Sequence, residues 1–399
     1  MATQNTKNLR WEIRRFYTLF AISQFLIDSS IWSFYLTEYC RFSLTEAVAF
    51  HAGTTAVSGI LDLPTGSWAD RFGRKRVVLL GFIARAIAAT LMIVASSTPV
   101  LILAAIANGF GWAQLSGAME AFLHDNLKAR GEDASFRRYM SNSVMINYCS
   151  RTAAFVLSGV LFTLHPTLPY ATLAIALIIG AYCTASIKEL PFEKTNATAD
   201  REHIIQGARV FLDDNHLLKI SALMLAGMVL AEQIWFSIQP LLLAAHMRPF
   251  DVGLSYALGA LGSVLGARIG KELLTRHRDE VAFSLSLVFC ACGTVVFAVV
   301  EKPSLLVIAQ LITCVGFGLI AASRGSILNS HLPSAHRAVC LSIFSTSEAI
   351  LIGLFGVSLG YLYENLNRAI PPTVVALLCL ILVYPTFRAL RRAPRSPLG

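Results

Sequence analysis

Twelve apolar runs, each close to the ~20 residues a helix needs to cross a bilayer, punctuate the chain. They fall at roughly 16–39, 46–67, 77–97, 100–123, 139–163, 168–187, 217–244, 251–270, 281–300, 303–323, 338–362 and 371–388. Hydrophobic residues make up 55% of the chain and charged ones 14%, which leaves too little polar surface to cover a water-soluble fold. An open sheet cannot satisfy its backbone in lipid, and the alternation of a membrane barrel is absent. The chain therefore reads as an all-α integral membrane protein with twelve transmembrane helices.

The formal net charge of +9 is topological. Arg14, Arg15, the run Arg71 to Arg76, Lys128 to Arg138, Lys188 to Lys219, Lys271 to Arg278 and Arg388 to Arg395 all fall on one side. Arg41, Arg248, Lys302 and Arg368 fall on the other. By the positive-inside rule both termini are cytoplasmic, and no nucleic-acid surface is implied. A bacterial inner (plasma) membrane and a monomeric state are expected. The eight Cys are scattered through the spans without C-x-x-C spacing, as small buried apolar residues rather than metal or redox ligands. No metal or cofactor is expected. The first span is longer than a signal-peptide core, so no cleavage is expected. Asn196-Ala197-Thr198 is a chance sequon in a cytoplasmic loop.

Hydropathy collapses between Ile187 and Leu217, which divides the chain into two six-helix halves, 1–187 and 217–399, joined by a cytoplasmic linker, 188–216. The linker carries a mildly amphipathic stretch around Ile204, Ile205, Val210 and Phe211. A faint repeat links the halves: Asp28 precedes Ile31-Trp32 in span 1, and Glu232 precedes Ile234-Trp235 in span 7.

Between spans 2 and 3 lies Gly66-Ser67-Trp68-Ala69-Asp70-Arg71-Phe72-Gly73-Arg74-Lys75-Arg76. Scattered Lys and Arg suffice to orient a loop, whereas an Asp and two glycines at fixed offsets imply tight backbone packing. The pattern G-x-x-x-D-R-x-G-R-K resembles the loop between helices 2 and 3 of the major facilitator superfamily of secondary transporters. Leu63-Pro64-Thr65-Gly66 and Ser116-Gly117-Ala118-Met119-Glu120-Ala121-Phe122-Leu123-His124-Asp125 are similar to its exporter-type members. The resemblance implies that fold, transport of a small molecule by alternating access, and a conformational latch made of Gly66, Asp70, Arg71, Gly73, Arg74 and Asp125. In it, Asp70 approaches the amino end of helix 11 and Arg74 pairs with Asp125. Arg71, Lys75 and Arg76 are expected near lipid head groups. The second half has only Gly266-Ala267-Arg268-Ile269-Gly270-Lys271-Glu272 in the matching place, without the Asp-Arg pair. Span 5 also lacks the Gly-Pro and Gly-Gly signature of drug/proton antiporters.

Charges inside a span are costly unless paired or hydrated, and so are functional candidates. At about 1.5 Å per residue, Asp28, Arg151, Glu232 and Glu348 fall near mid-depth, on spans 1, 5, 7 and 11. Asp28 and Arg151 are expected to pair, and Asp28 or Glu232 to exchange a proton. Gln24, Trp32, Trp112, Gln233 and Trp235 are the cavity candidates, with amides to orient a solute and rings to stack on it. Three acids to one Arg favour a cationic or zwitterionic solute. Asp62, Arg85 and Glu120 form an expected inner-leaflet network that supports the latch.

The function expected is proton-coupled efflux of a drug-like or metabolic compound. A proton-coupled nutrient importer is the alternative, because helix patterns do not report direction. An integral-membrane enzyme would need a clustered constellation that the scattered His residues do not form, and no phosphate-binding loop of an ATP-driven pump is encoded. A receptor that kept the transporter fold is disfavoured by the mid-depth charges.

Overall fold

The computed structural model describes residues 2–188, 201–276, 278–333 and 336–392; for residues 2–10, 63, 66, 67, 70, 201–204 and 338 that description is of the backbone alone. The helices are α1 (Ala2–Ser23), α2 (Leu44–Phe72), α3 (Arg74–Ile93), α4 (Thr98–Leu115), α5 (Ala118–Lys128), α6 (Phe136–Leu164) and α7 (Leu168–Ser186). They continue as α8 (Arg201–Asp213), α9 (Asn215–Ala244), α10 (Pro249–Thr275), α11 (Asp279–Val299), α12 (Pro303–His331), α13 (Arg337–Asn365) and α14 (Ile370–Arg392). A π-helical segment, Phe34–Tyr39, follows α1, and no strand occurs among the described residues.

Ten helical segments among the described residues are long and apolar enough to cross a membrane: α3, α4 continued by α5, α6, α7 and α9 to α14. The other two expected spans differ in kind. The run 46–67 lies in one helix, α2, made less apolar by Thr54, Thr55, Ser58, Asp62 and Thr65. The run 16–39 is not one helix, because α1 stops at Ser23 and helical turns resume only at Trp32. The motif between spans 2 and 3 is also less of a loop than expected: Gly66 to Phe72 belongs to α2, and only Gly73 breaks the chain. Its counterpart, Gly266 to Glu272, lies wholly inside α10.

The chain forms two compact units, Met1–Ile31 with Gly53–Ala199, and Trp32–Ala52 with Asp200–Gly399. In the first, Phe16 and Leu19 of α1, Phe82 of α3, Phe122 and Leu123 of α5 and Leu177 of α7 make a continuous apolar core. Its outer surface inverts soluble-protein logic: α7 exposes Ile175, Ile178, Ile179 and Tyr182 on one helical stripe, as a lipid-facing helix does.

In the second unit, small residues let backbones approach closely. A Cβ on Gly262 of α10 would sit 2.5 Å from the Leu311 carbonyl oxygen of α12. The amphipathic stretch of the linker is the helix α8, whose Phe211 joins Met224, Phe283 and Phe344 in the core. The segment 32–52 is tied into this unit by hydrogen bonds from the Ser33 amide to Gln239 Oε1 (2.9 Å) and from the Thr45 amide to Glu364 Oε1 (2.9 Å). A stripe of Val374, Leu377, Leu378, Ile381 and Tyr384 on α14 is exposed.

A polar cavity at two helix breaks

Ending a helix inside a membrane leaves its last carbonyls without partners, and each must be satisfied internally. Asp28-Ser29-Ser30 favours the ending, since short polar side chains compete with helical hydrogen bonds. Every carbonyl of the last turn of α1 is met. Ser23 Oγ donates to the Phe20 oxygen (2.9 Å), Ser150 Oγ to Ala21 (2.7 Å), the Phe25 amide to Ile22 (3.1 Å) and Arg85 Nη1 to Ser23 (3.0 Å). With its amide nitrogen turned inward, Asn147 adds a further donor to Phe20 (2.8 Å). The break is thus built by α3 and α6 as much as by the chain that breaks.

A second break lies in span 4, where α4 gives way to α5 at Ser116-Gly117. Gly117 has φ 66°, a left-handed conformation that favours glycine. Arg85 places its guanidinium 4.0 Å from the Trp112 ring centre, a cation–π contact. Gly111 makes room for it, since a Cβ there would lie 2.5 Å from Arg85 Cγ.

The two breaks meet at one cavity of about 300 Å³, lined by Ser23, Gln24, Trp112, Ser116, Glu120 and Asn147 among others. A second, of about 260 Å³, shares Gln24 and Asn147 and adds Val144, Tyr148 and Arg151. Irregular backbone at membrane depth is tolerated where it lines such a cavity, and transporter binding sites favour discontinuous helices.

The expected pairing of Asp28 with Arg151 is absent. Arg151 donates through Nη2 to Gln24 Oε1, and the cation whose field reaches Asp28 is Arg85. The break moves Asp28 off the regular helical register from which a pairing by depth was inferred. Asp28 Oδ1 is buried without a hydrogen-bond partner among the described residues. Arg85 lies at the break of α1 and Glu120 in the cavity wall.

The second unit holds another charge cluster. Arg324 Nη2 lies 2.6 Å from Glu348 Oε2 and also bonds Ser345 Oγ (3.0 Å), and Glu232 feels the charges of both Glu348 and Arg324. Arg324 fell outside the expected span 10 because its charge seemed to end the apolar run. In fact α12 continues to His331, with Ile327 and Leu328 buried beyond it. Arg85, Arg151 and Arg324 now balance Asp28, Glu232 and Glu348, which removes the excess of acids as an argument about the solute.

Gln24 and Trp112 line the cavity. Trp32 and Gln233, expected there, are 1% and 3% exposed: Trp32 packs on His51 at 4.6 Å, and Gln233 Nε2 donates to the Ile352 carbonyl (3.4 Å). Trp235 is held edge-on by Tyr256 (5.2 Å) and Phe317 (5.8 Å). Sequence reasoning passed over Asn147 and Ser150, whose signal was their place one turn and one residue before Arg151 on α6.

Among the motif residues, Arg74 Nη1 lies 2.7 Å from Asp125 Oδ2 and also donates to the Ala121 carbonyl (2.9 Å). Gly73 has φ 98° at the start of α3, and Arg71 is exposed beside the Phe72 ring. The side chains of Gly66 and Asp70 lie outside the described residues.

The sequence matches the Major Facilitator Superfamily over residues 16–357. It is 24% identical over 309 residues to an uncharacterized MFS-type transporter of Mycobacterium tuberculosis, Rv0849, covering 75% of this chain and 71% of that one. The fold is similar to the crystal structure of the nucleoside transporter NupG (TM-score 0.79, 15% identity, 97% of this chain and 100% of that one). It is also similar to an auto-inhibited POT family peptide transporter (TM-score 0.77, 12% identity, 96% and 98%). At these identities the likeness is one of fold.

Proposed function

We propose that this chain, which belongs to the major facilitator superfamily, is a secondary transporter that exports a small organic solute in exchange for protons by alternating access. The observation that carries the reading is the meeting of two helix breaks, in spans 1 and 4, at one polar cavity. Helices that stop at mid-depth expose backbone dipoles and amide side chains to a solute without leaving carbonyls bare in lipid.

Two places suit proton exchange. In the second unit one guanidinium, Arg324, serves two carboxylates, Glu348 and Glu232. Burying both as anions is costly, and a proton on one relieves the cost. In the first unit the charge that faces Asp28 is that of Arg85. The chain has two six-helix halves, 1–187 and 217–399, joined by the cytoplasmic linker 188–216. The Arg74–Asp125 pair, with Asp70, Gly66, Arg71 and Gly73, acts as the latch. The protein works as a lipid-embedded monomer, with both termini cytoplasmic, in the inner membrane of a bacterium, a source in keeping with its mycobacterial relatives.

Solute-driven proton flux in proteoliposomes tests the coupling. Loss in Glu232→Gln assigns it to the second unit, and loss in Asp28→Asn to the first. Undiminished flux in both and in the double variant removes either carboxylate as the carrier. Import is the second reading, since the helix pattern does not report direction. Net accumulation with the pH gradient imposed in each sense separates it from export.

A further inference from the structure

Two charged side chains line the cavity that the proposed function assigns to the solute and the cavity beside it, and neither is paired with an opposite charge among the described residues. Arg151 of α6 lines the second cavity, of about 260 Å³, and donates to the neutral Gln24. The Nε of Arg151 is buried without a partner, and no carboxylate pairs with the side chain among the described residues. A guanidinium has five donors in a fork suited to a carboxylate, so most of its capacity is unused. Glu120, in the first turn of α5, lines the cavity at the two breaks and makes no hydrogen bond or ion pair among the described residues. Gln24 and Asn147 line both cavities, and thus stand between the cation and the anion. Glu120 is exposed and Arg151 half-buried, and no ion pair joins the two.

We infer that the transported solute is a zwitterion, with its cationic group at Glu120, its anionic group at Arg151, and its middle laid across Gln24 and Asn147. Three features favour this over a simple cation. Arg85 already occupies one face of Trp112 at 4.0 Å, so that face is closed to a second cation. The unmet donors of Arg151 call for an acceptor. The amide of Asn147 spends its nitrogen on the Phe20 and Ser143 carbonyls, which leaves its oxygen for a donor on the solute.

This inference rests on the cavity being the solute site, and the test separates the two. The thermal midpoint of the purified full-length chain is titrated with ω-amino acids, from β-alanine to 6-aminohexanoate, and with dipeptides. Each is set beside its N-acetylated form, an anion, and its amidated form, a cation. The expected result is stabilisation by at least one zwitterion, with both capped forms weaker by about tenfold or more, as loss of a charged hydrogen bond implies. Glu120→Gln then narrows the gap to the acetylated form, and Arg151→Gln the gap to the amide. Capped forms that bind as well as the zwitterion, or a series without any stabilising member, overturn the inference, even if a variant fails to fold. A solute of another charge class whose stabilisation both variants erase would overturn the zwitterion and keep the cavity. Stabilisation by any solute that neither variant changes would overturn both.

Discussion

The guanidinium of Arg85 donates to the Ser23 carbonyl at 3.0 Å while lying 4.0 Å from the Trp112 ring centre, so one side chain of α3 caps the broken end of α1 and braces the end of α4. A cation is also favoured at the carboxyl end of a helix by the helix dipole.

Replacing Arg85 by Leu should therefore loosen both breaks. The cost expected is about 1–3 kcal/mol for the bare carbonyl and lost charged contact, read as a lower midpoint of unfolding in detergent. Arg85→Lys should lose less, since an ammonium still reaches a carbonyl but lacks the flat face that lies on Trp112. Wild-type stability in Arg85→Leu would show that the break is held by other means.

The Arg74–Asp125 pair, at 2.7 Å and about a quarter exposed on each side, should matter more for transport than for folding, since partly exposed pairs contribute only ~0–1 kcal/mol. Arg74→Ala, Asp125→Asn and Asp70→Asn are expected to express normally and transport slowly. The charge-swapped double variant Arg74→Asp with Asp125→Arg should recover part of the rate. Full transport by the single variants at matched protein levels would refute the latch.

In the second unit, Arg324→Gln should destabilise by about 1–3 kcal/mol, discounted because the Arg324 side chain is 35% exposed. Adding Glu348→Gln should restore part of the loss by removing the carboxylate left stranded. A double variant less stable than either single one would break the account of one guanidinium serving two acids.

Cys290 and Cys292 lie two residues apart on α11. The structure separates them: Cys290 is fully buried against Gly316 of α12, and Cys292 is exposed on the other side of α11. A membrane-permeant maleimide should label Cys292 and spare Cys290 in intact membranes, whereas a water-borne one should label Cys292 slowly and spare Cys290 as well. Rapid labelling of Cys292 by the water-borne reagent would place α11 on an aqueous path.

Apolar run length carried the all-α membrane fold, because lipid forces regular helices wherever the chain faces it. That rule says nothing where the chain faces a cavity, and there the reading failed. Span 1 looked continuous because Phe25, Leu26 and Ile27 are as apolar as a helix requires, while its break is set by Asn147, Ser150 and Arg85, which are distant in sequence. Partners were equally illegible: depth alone paired Asp28 with Arg151, and geometry gave Arg151 to Gln24. Arg324 was lost by taking a charge as the end of a span, although a buried carboxylate one helix away lets the span continue. Local pattern served better where the contact was short in sequence and framed by glycine, as at Gly73 and Arg74.

The central claim is that solute passes through the cavity at the two breaks. Its most direct test is solute flux in proteoliposomes bearing Ser116→Cys in an otherwise cysteine-free chain, measured before and after treatment with a water-borne thiol reagent. Ser116 is exposed in the cavity wall. The account predicts that modification stops flux, and that solute present during treatment preserves it. Unchanged flux through fully modified protein would contradict it.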